Sequence, residues 1–175
     1  EQLAKRIGAL LVTSARGKDM FRDNPYNLGI IGSFSHSMAR RFIEQADCVM
    51  VFGASLNFWT TSFGTFVPAV PLVQVDSRRH NIGRFSPADV AVVGDAYLVA
   101  EQLLDALPDR SAEEKPFHSL EIRQSLAKFD PAEEFRAAHT ARTIDPRSLG
   151  IALDQLLPED RNLVYDAGNF LGIVP

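Results

Sequence analysis

The sequence predicts an α/β fold, a doubly wound parallel sheet with helices on both faces, from three observations. Short apolar runs recur in the first part of the chain, and helical patterns separate them. Each run stops abruptly at a glycine or a carboxylate, as 49–52 does before Gly53 and 71–75 does before Asp76. Strands buried on both faces are apolar throughout, so polar residues appear only at their ends. Because ligands of open α/β sheets bind at the carboxyl ends of the strands, the pattern indicates a nucleotide-binding type of layer.

The elements before residue 49 begin with a helix. Apolar residues at positions 3, 7 and 10 share one helical face, and 10–13 is typical of a strand. Gly29 and Gly32 then predict a turn, which is followed by a helix of about ten residues. A doubly wound sheet starts with a central strand and a glycine turn ahead of its first helix. Since the first element here is already a helix, we expect the sheet to lack its first strand.

The elements after residue 49 complete the layer. Apolar runs at 49–52, 71–75 and 89–93 predict three strands. An aromatic, threonine-rich loop over 57–69 joins the first two, and its rings are expected to pack on the core. Asp95 is predicted to cap a last helix whose apolar residues face inward.

Composition excludes several kinds of partner. The chain has 175 residues, of which 46% are hydrophobic and 23% charged, and its net charge is -4. This balance gives no electrostatic reason to bind nucleic acid or an anionic membrane. No apolar run reaches the roughly 20 residues that span a bilayer. Cys48 is the only cysteine, so no internal disulfide can form, which favours a reducing cytoplasm.

Composition also divides the chain into three parts. Residues 1–107 carry the alternation of strands and helices, and 108–143 are charged and punctuated by prolines, which is typical of a linker. Asp145 predicts an N-cap, with Pro146 at the first position of an amphipathic helix.

A new strand is then predicted at 162–165, and it ends at 166–169. We therefore expect 144–175 to be the truncated beginning of a second α/β domain.

Several short motifs follow one another along the chain. They are Ser14-Ala-Arg-Gly17-Lys18, Asn27-Leu-Gly29-x-x-Gly32, Ala46-Asp47 before a strand, Gly53-Ala54, Val75-Asp76, Asn81-Ile-Gly83 and Val93-Gly94-Asp95. In this order they resemble the central domain of thiamine diphosphate-dependent enzymes of the acetolactate synthase, benzoylformate decarboxylase and oxalyl-CoA decarboxylase type. The resemblance implies a Rossmann-like sheet of the NAD/FAD-binding type. Residues 145–169 resemble the start of the pyrophosphate-binding domain of these enzymes.

The resemblance implies a parent enzyme that uses thiamine diphosphate and Mg²⁺, a lyase or transferase acting on a 2-keto acid. The family has a pyrimidine domain with an activating glutamate, and a Gly-Asp-Gly motif followed by an asparagine; neither is present here. We therefore expect this segment to hold no catalytic residues and no metal site, and to be inactive alone. Asn169 lies in the stretch that the family brings near thiamine diphosphate. The parent is expected to be a homodimer or homotetramer.

The central layer of this family holds FAD in some members, ADP in others and nothing in the rest. When the nucleotide-binding positions of these members are carried over to this chain, the resemblance implies six residues: Gly29, Gly53, Ala54, Asp76, Asn81 and Asp95. FAD-binding members usually have a basic residue after the Gly-Ala pair, where this chain has Ser55. That difference weakens the case for FAD and leaves ADP or a vacant layer.

A different class of function also fits the strand pattern. The chain could be a stand-alone regulatory module that binds ADP or FAD. An NAD-dependent oxidoreductase is less favoured, because no Gly-x-Gly-x-x-Gly occurs. Tight nucleotide binding by the isolated chain would distinguish the regulatory module from a piece of a thiamine diphosphate enzyme.

Overall fold

The computed structural model describes residues 1–111, 114–162 and 164, except for the side chains of residues 131 and 132. The chain divides into two compact units, residues 1–129 and 130–175. The boundaries predicted at 107 and 143 remain predictions.

The first unit alternates strands and helices as predicted. In chain order its elements are α1 (Gln2–Ile7), β1 (Leu11–Thr13), β2 (Asn27–Ile30), α2 (Ser37–Ile43), β3 (Val49–Phe52), β4 (Leu72–Asp76), β5 (Val90–Val93), α3 (Ala96–Ala106) and α4 (Leu120–Lys128). Short 3-10 turns lie between several of them, including Gly32–Phe34 and Arg79–Asn81.

All strand pairs of the first unit are parallel, which confirms the predicted α/β class. β1 pairs with β2, and a second sheet has the order β3-β4-β5. In the second sheet Val51 lies opposite Gln74, and Gln74 lies opposite Ala91. No pairing joins β1 to β3 in the described part of the chain.

The turn predicted between Gly29 and Gly32 begins later than expected, because residues 27–30 form β2 and the 3-10 turn before α2 covers Gly32–Phe34. Gly29 has a φ of 74°, which breaks the ordinary strand conformation, and the register of β1 with β2 shifts within this short ladder. The side chain of Asn27 accepts a hydrogen bond from the N–H of Gly29 (2.9 Å). A glycine and an asparagine are turn signals in sequence, and here they lie within a short, irregular strand.

The core consists of two clusters. The first joins α2 to β2 and to the loop after β3, and its buried members are Leu28, Ala39, Phe42, Ile43 and Phe66. Ile122 and Leu126 of α4 pack against it, so part of the predicted linker covers the first unit. The second cluster, made of Val51, Leu56 and Leu72, lies around β3 and β4.

Two helices of the first unit contact one another. The side chain of Arg6 on α1 donates a hydrogen bond to the carbonyl of Leu107, just after α3 (2.8 Å). α1 and α3 pack together, and α3 also packs on β4. Asp95 caps α3 as predicted, because its Oδ1 accepts from the N–H groups of Tyr97 and Leu98.

The second unit contains α5 (Pro146–Leu156), which confirms the helix predicted after Asp145. The Asp145 carboxylate is buried and accepts from the N–H groups of Arg147 and Ala138. The Arg147 guanidinium also binds it and holds the pKa of Asp145 well below its usual range. The strand predicted at 162–165 and the segment 166–169 fall almost wholly outside the described residues.

Gly32 lies where the turn after β2 closely approaches the loop after β3, and this packing can be tested. Its φ is 90°, and a Cβ there would lie 2.1 Å from the carbonyl oxygen of Trp59. We expect Gly32→Ala to lower the free energy of unfolding by about 3 kcal/mol, through backbone strain and overpacking. Gly64→Ala is the control, since Gly64 has a φ of 83° but open space around its Cβ. Urea unfolding should show that the control lowers the free energy of unfolding by only roughly 1–2 kcal/mol. Equal losses in the two variants would contradict the close packing of Gly32 against Trp59.

His118 makes the stability of the first unit depend on pH. Its ring stacks on Tyr26 at 3.9 Å, and Nε2 donates to the carbonyl of Ala9 (2.8 Å). Burial, with a smaller effect of the charge on Lys115, lowers the pKa of His118. The folded state therefore favours the neutral ring. Its contribution to stability is full above the unfolded pKa of about 6.5 and is lost as pH falls through the lower folded value.

We expect the wild-type chain to lose more stability than His118→Gln when pH falls from about 7 to about 5. Glutamine keeps an N–H donor for Ala9 but does not titrate in this range. Urea unfolding at both pH values measures the difference. A pH dependence that is the same in both proteins would refute the assignment to His118.

Candidate functional site

The carboxyl ends of β3, β4 and β5 bring three predicted site residues to one edge of the sheet. Gly53 directly follows β3, Asp76 is the last residue of β4, and Asp95 lies just after β5. The parallel register aligns these ends, because Phe52 is opposite Val75 and Asp76 is opposite Val93. Gly29 lies in β2, in the other sheet. Asn169 lies outside the described residues.

Asp76 is 7% exposed and organises the turn that follows β4. Its Oδ1 accepts hydrogen bonds from the N–H of Arg78 (2.8 Å) and from Nδ2 of Asn81 (3.0 Å). The structure therefore joins two predicted site residues, Asp76 and Asn81, directly. Oδ2 of Asp76 accepts no hydrogen bond from the residues that the structure describes, so it is the oxygen available to a ligand hydroxyl.

Gly53 leaves open space at the edge. Its φ is 64°, and no atom lies within 4 Å of the position that a Cβ would take. Gly83, beyond the turn after β4, has a φ of 72° and is equally open. Glycines with open surroundings permit another group to approach the backbone closely. The N–H of Gly53 is already used, since it donates to the carbonyl of Val75 (2.9 Å).

Gln74 holds this edge together, and the sequence prediction missed it. It is 1% exposed; its Nε2 donates to the carbonyl of Ala54 (3.0 Å), and its Oε1 accepts from the N–H of Gly83 (2.9 Å). One buried amide thus fixes the loops after β3 and after β4. The signal was a glutamine in the middle of an otherwise apolar strand, where a polar side chain needs buried partners.

Asn57 shapes the loop after β3. Its Oδ1 accepts from the N–H groups of Trp59 (3.0 Å) and Thr60 (3.2 Å), and its Nδ2 donates to Oγ of Ser55 (3.1 Å). Its carbonyl accepts from the hydroxyls of Thr60 and Thr61, both at 3.0 Å. Ser55 and Asn57 therefore belong to one hydrogen-bonded turn.

Most aromatic residues of this loop do not pack on the core, contrary to expectation. The rings of Phe58, Trp59 and Phe63 form one cluster with ring centroids 5.4–5.8 Å apart, in which Phe58 stacks on Phe63 and Trp59 meets Phe63 edge-on. All three are exposed, Phe63 to 69%. Only Phe66 enters the first core cluster. Ser62 and Phe63 both have a positive φ, a conformation that residues other than glycine rarely adopt.

The carboxylates at this edge of the sheet accept hydrogen bonds from groups of the same chain. Asp95 caps α3, and Asp76 holds the turn through Arg78 and Asn81. No group of three or more His, Cys, Asp or Glu side chains in the described ranges could hold a metal ion. A surface cavity elsewhere is lined by Lys5, Tyr26 and Lys115, and none of the predicted site residues lines it. No described helix is long and apolar enough to cross a membrane.

Comparison with known proteins places this layer in a family. Residues 1–103 match the family model described as the thiamine pyrophosphate enzyme, central domain. A probable sulfoacetaldehyde acetyltransferase of Rhizobium meliloti is 28% identical over 95% of this chain and 32% of its own. Human 2-hydroxyacyl-CoA lyase 1 is 27% identical over 99% of this chain and 30% of its own. The chain thus spans less than two thirds of the length of these relatives.

A solved structure shares the fold. Benzoylformate decarboxylase from Polynucleobacter necessarius superposes with a TM-score of 0.59 and 19% identity, over 98% of this chain and 30% of the other. At that identity the likeness concerns the fold alone.

We expect Gln74→Leu to destabilise the chain although it preserves volume. The change leaves the carbonyl of Ala54 and the N–H of Gly83 without their partner, at about 1–3 kcal/mol for each buried group. Gln102→Leu, at an exposed position of α3, is the matched control and should change stability by less than about 0.5 kcal/mol. Urea unfolding measures the loss of stability in each variant. A Gln74→Leu protein as stable as the wild type would contradict the role of this amide.

Proposed function

The chain belongs to the thiamine pyrophosphate enzyme family, and we propose that it is the central scaffold, with the beginning of the next domain, of an enzyme dependent on thiamine diphosphate and Mg²⁺. The match of residues 1–103 to the central domain carries the proposal. We use "parent enzyme" for this longer protein.

The parent enzyme is proposed to decarboxylate a 2-keto acid or to transfer the resulting fragment to a second molecule. Relatives whose names describe a transferase, a lyase and a decarboxylase support this choice. Bound thiamine diphosphate supplies the electron sink for such a reaction. The cofactor and Mg²⁺ are proposed to bind in the domains that flank the central layer, where the family has its activating glutamate and its Gly-Asp-Gly motif.

The segment itself is proposed to position those domains without taking part in the chemistry. Its charged groups at the sheet edge bind the protein's own loops, as Asp76 binds Asn81 and Asp95 caps α3. Such a scaffold is expected to be inactive alone. We also propose that the parent enzyme is a cytoplasmic homodimer or homotetramer.

A second candidate function is adenine-nucleotide binding by the central layer. The open space at Gly53 and Gly83 and the available Oδ2 of Asp76 favour it. A carboxylate at the end of a strand binds ribose hydroxyls in sheets of this kind. ADP suits the site better than FAD, because Ser55 bonds to Asn57 where FAD-binding members usually carry a basic residue.

The parent enzyme should release carbon dioxide from pyruvate or benzoylformate only when thiamine diphosphate and Mg²⁺ are present. Removal of both by dialysis against a chelator should abolish the activity, and adding both back should restore it. The isolated 175-residue chain is the control and should be inactive under the same conditions. Activity that survives cofactor removal, or a parent enzyme to which thiamine diphosphate does not bind in calorimetry, would refute the proposal.

Titration of the isolated chain separates the two candidates. Saturable ADP binding that Asp76→Ala weakens by about tenfold would support the nucleotide site, as expected for a lost charge-assisted hydrogen bond. Asp105→Ala, on α3 away from the edge, is the control. If neither ADP nor FAD binds, the layer acts as a scaffold only.

A further inference from the structure

A groove lies at the amino end of β2, and none of the predicted nucleotide-binding residues lines it. It is formed by two cavities of about 490 and 350 Å³, which share Asn24, Pro25 and Arg123. Tyr26, which lines the larger cavity, directly precedes β2. Ligand pockets have volumes of roughly 300–1,000 Å³. The groove is therefore large enough for a small molecule.

Positive charge dominates the lining of the groove. Lys5 and Lys115 line the larger cavity, Arg22 lines the smaller one, and Arg123 lines both. Glu1 is the only carboxylate among the described residues that line the groove. The chain as a whole has a net charge of -4, so this excess of cations is a local feature.

Two of these cations, Lys5 and Arg123, have no partner among the residues that the structure describes. Neither side chain makes a hydrogen bond or an ion pair with a described residue. The Glu1 carboxylate accepts a hydrogen bond from Nδ2 of Asn24 instead (3.3 Å). Lys5 lies on α1 and Arg123 on α4, and both are exposed. Two cations from separate helices thus line one cavity without a carboxylate to neutralise them.

Lys115 adds a third positive charge that is held in place. Its side chain is only 16% exposed, and its Nζ binds Oδ1 of Asp109 (2.8 Å). The same carboxylate oxygen lies 4.0 Å from Nε of Arg6. Because two cations share a single carboxylate, part of the positive charge around Lys115 remains unneutralised. The larger cavity is therefore suited to an anion.

The larger cavity also has an aromatic and apolar wall. Tyr26 and His118 stack with ring centroids 3.9 Å apart, and both line the cavity. The Tyr26 hydroxyl donates to the carbonyl of His118 (3.0 Å), and Nε2 of His118 donates to the carbonyl of Ala9 (2.8 Å). Ala4 and Pro25 line the cavity beside these rings. Rings that are already fixed lose little conformational entropy when a ligand packs on them.

We propose that this groove binds a small organic phosphate, with its phosphate group held by Lys5 and Arg123 and its organic part packed on Tyr26. A phosphate monoester carries about 1.5 to 2 negative charges at pH 7, which two unpaired cations neutralise. The guanidinium of Arg123 can bind two phosphate oxygens at once, and the ammonium of Lys5 acts as a point charge. A small molecule is favoured over an acidic protein partner, because both unpaired cations line a single cavity.

Titration of the full 175-residue chain with phenyl phosphate, followed by NMR, tests the proposal. The backbone amides of Lys5, Tyr26 and Arg123 should shift in a saturable way, with a Kd of about 1 mM or tighter. Lys5→Gln and Arg123→Gln should each raise the Kd about tenfold, because each removes a charge-assisted hydrogen bond to the phosphate. Glu1→Gln should lower the Kd, because it removes a carboxylate that lines the larger cavity.

Lys128→Gln and Arg41→Gln are the matched controls. Each removes one exposed positive charge, from the end of α4 and from α2, and neither residue lines the groove. Both should leave the Kd unchanged. If the controls raise the Kd as much as the groove variants do, the attraction is non-specific and the proposal is overturned. The absence of saturable shifts in the folded chain would also overturn it.

Inorganic phosphate and a poly-glutamate peptide test two other occupants. Inorganic phosphate should bind more weakly than phenyl phosphate, because it has no organic part to pack on Tyr26. Equal affinity for the two would overturn the organic ligand and leave the free phosphate ion as the occupant. Tighter binding of poly-glutamate at the same amides would overturn the proposal in favour of an acidic protein partner.

Discussion

The buried side chain of Gln74 is the interaction on which the edge of the second sheet depends. β4 is the middle strand of that sheet, so it can reach the loops on both sides. The amide of Gln74 uses this position to bind Ala54 on one side and Gly83 on the other. Two residues further on, Asp76 ends the strand and holds the turn through Asn81. One strand thereby fixes the loops that follow β3 and β4.

The parallel layer could be predicted because its strands are buried and therefore apolar. β3, β4 and β5 were found from their runs, and Asp95 and Asp145 from the capping chemistry of helix starts. β2 could not be found in the same way, because a glycine of positive φ interrupts it and asparagine precedes that glycine. At these residues the local signals for a turn were stronger than the signal for a strand. The four-residue strand depends on tertiary pairing with β1, which the local sequence does not show.

The candidate site was predictable in outline only. The positions of Gly53, Asp76 and Asp95 follow from the rule that parallel strands end at one edge. That Asp76 and Asn81 bond to each other, and that Gln74 connects two loops, depends on backbone atoms that are distant in sequence. The exposed cluster of Phe58, Trp59 and Phe63 was not predicted either, because periodicity does not specify the positive φ values of Ser62 and Phe63.

The function proposed for the chain is that of a layer positioning catalytic domains that lie elsewhere in a longer protein. Determining the coding sequence in frame on both sides of this segment tests that claim most directly. A glutamate-bearing α/β domain upstream, and a Gly-Asp-Gly motif followed by an asparagine downstream, is the result that we expect. A start codon and a stop codon at the two ends of the segment would contradict it and would leave a free nucleotide-binding module.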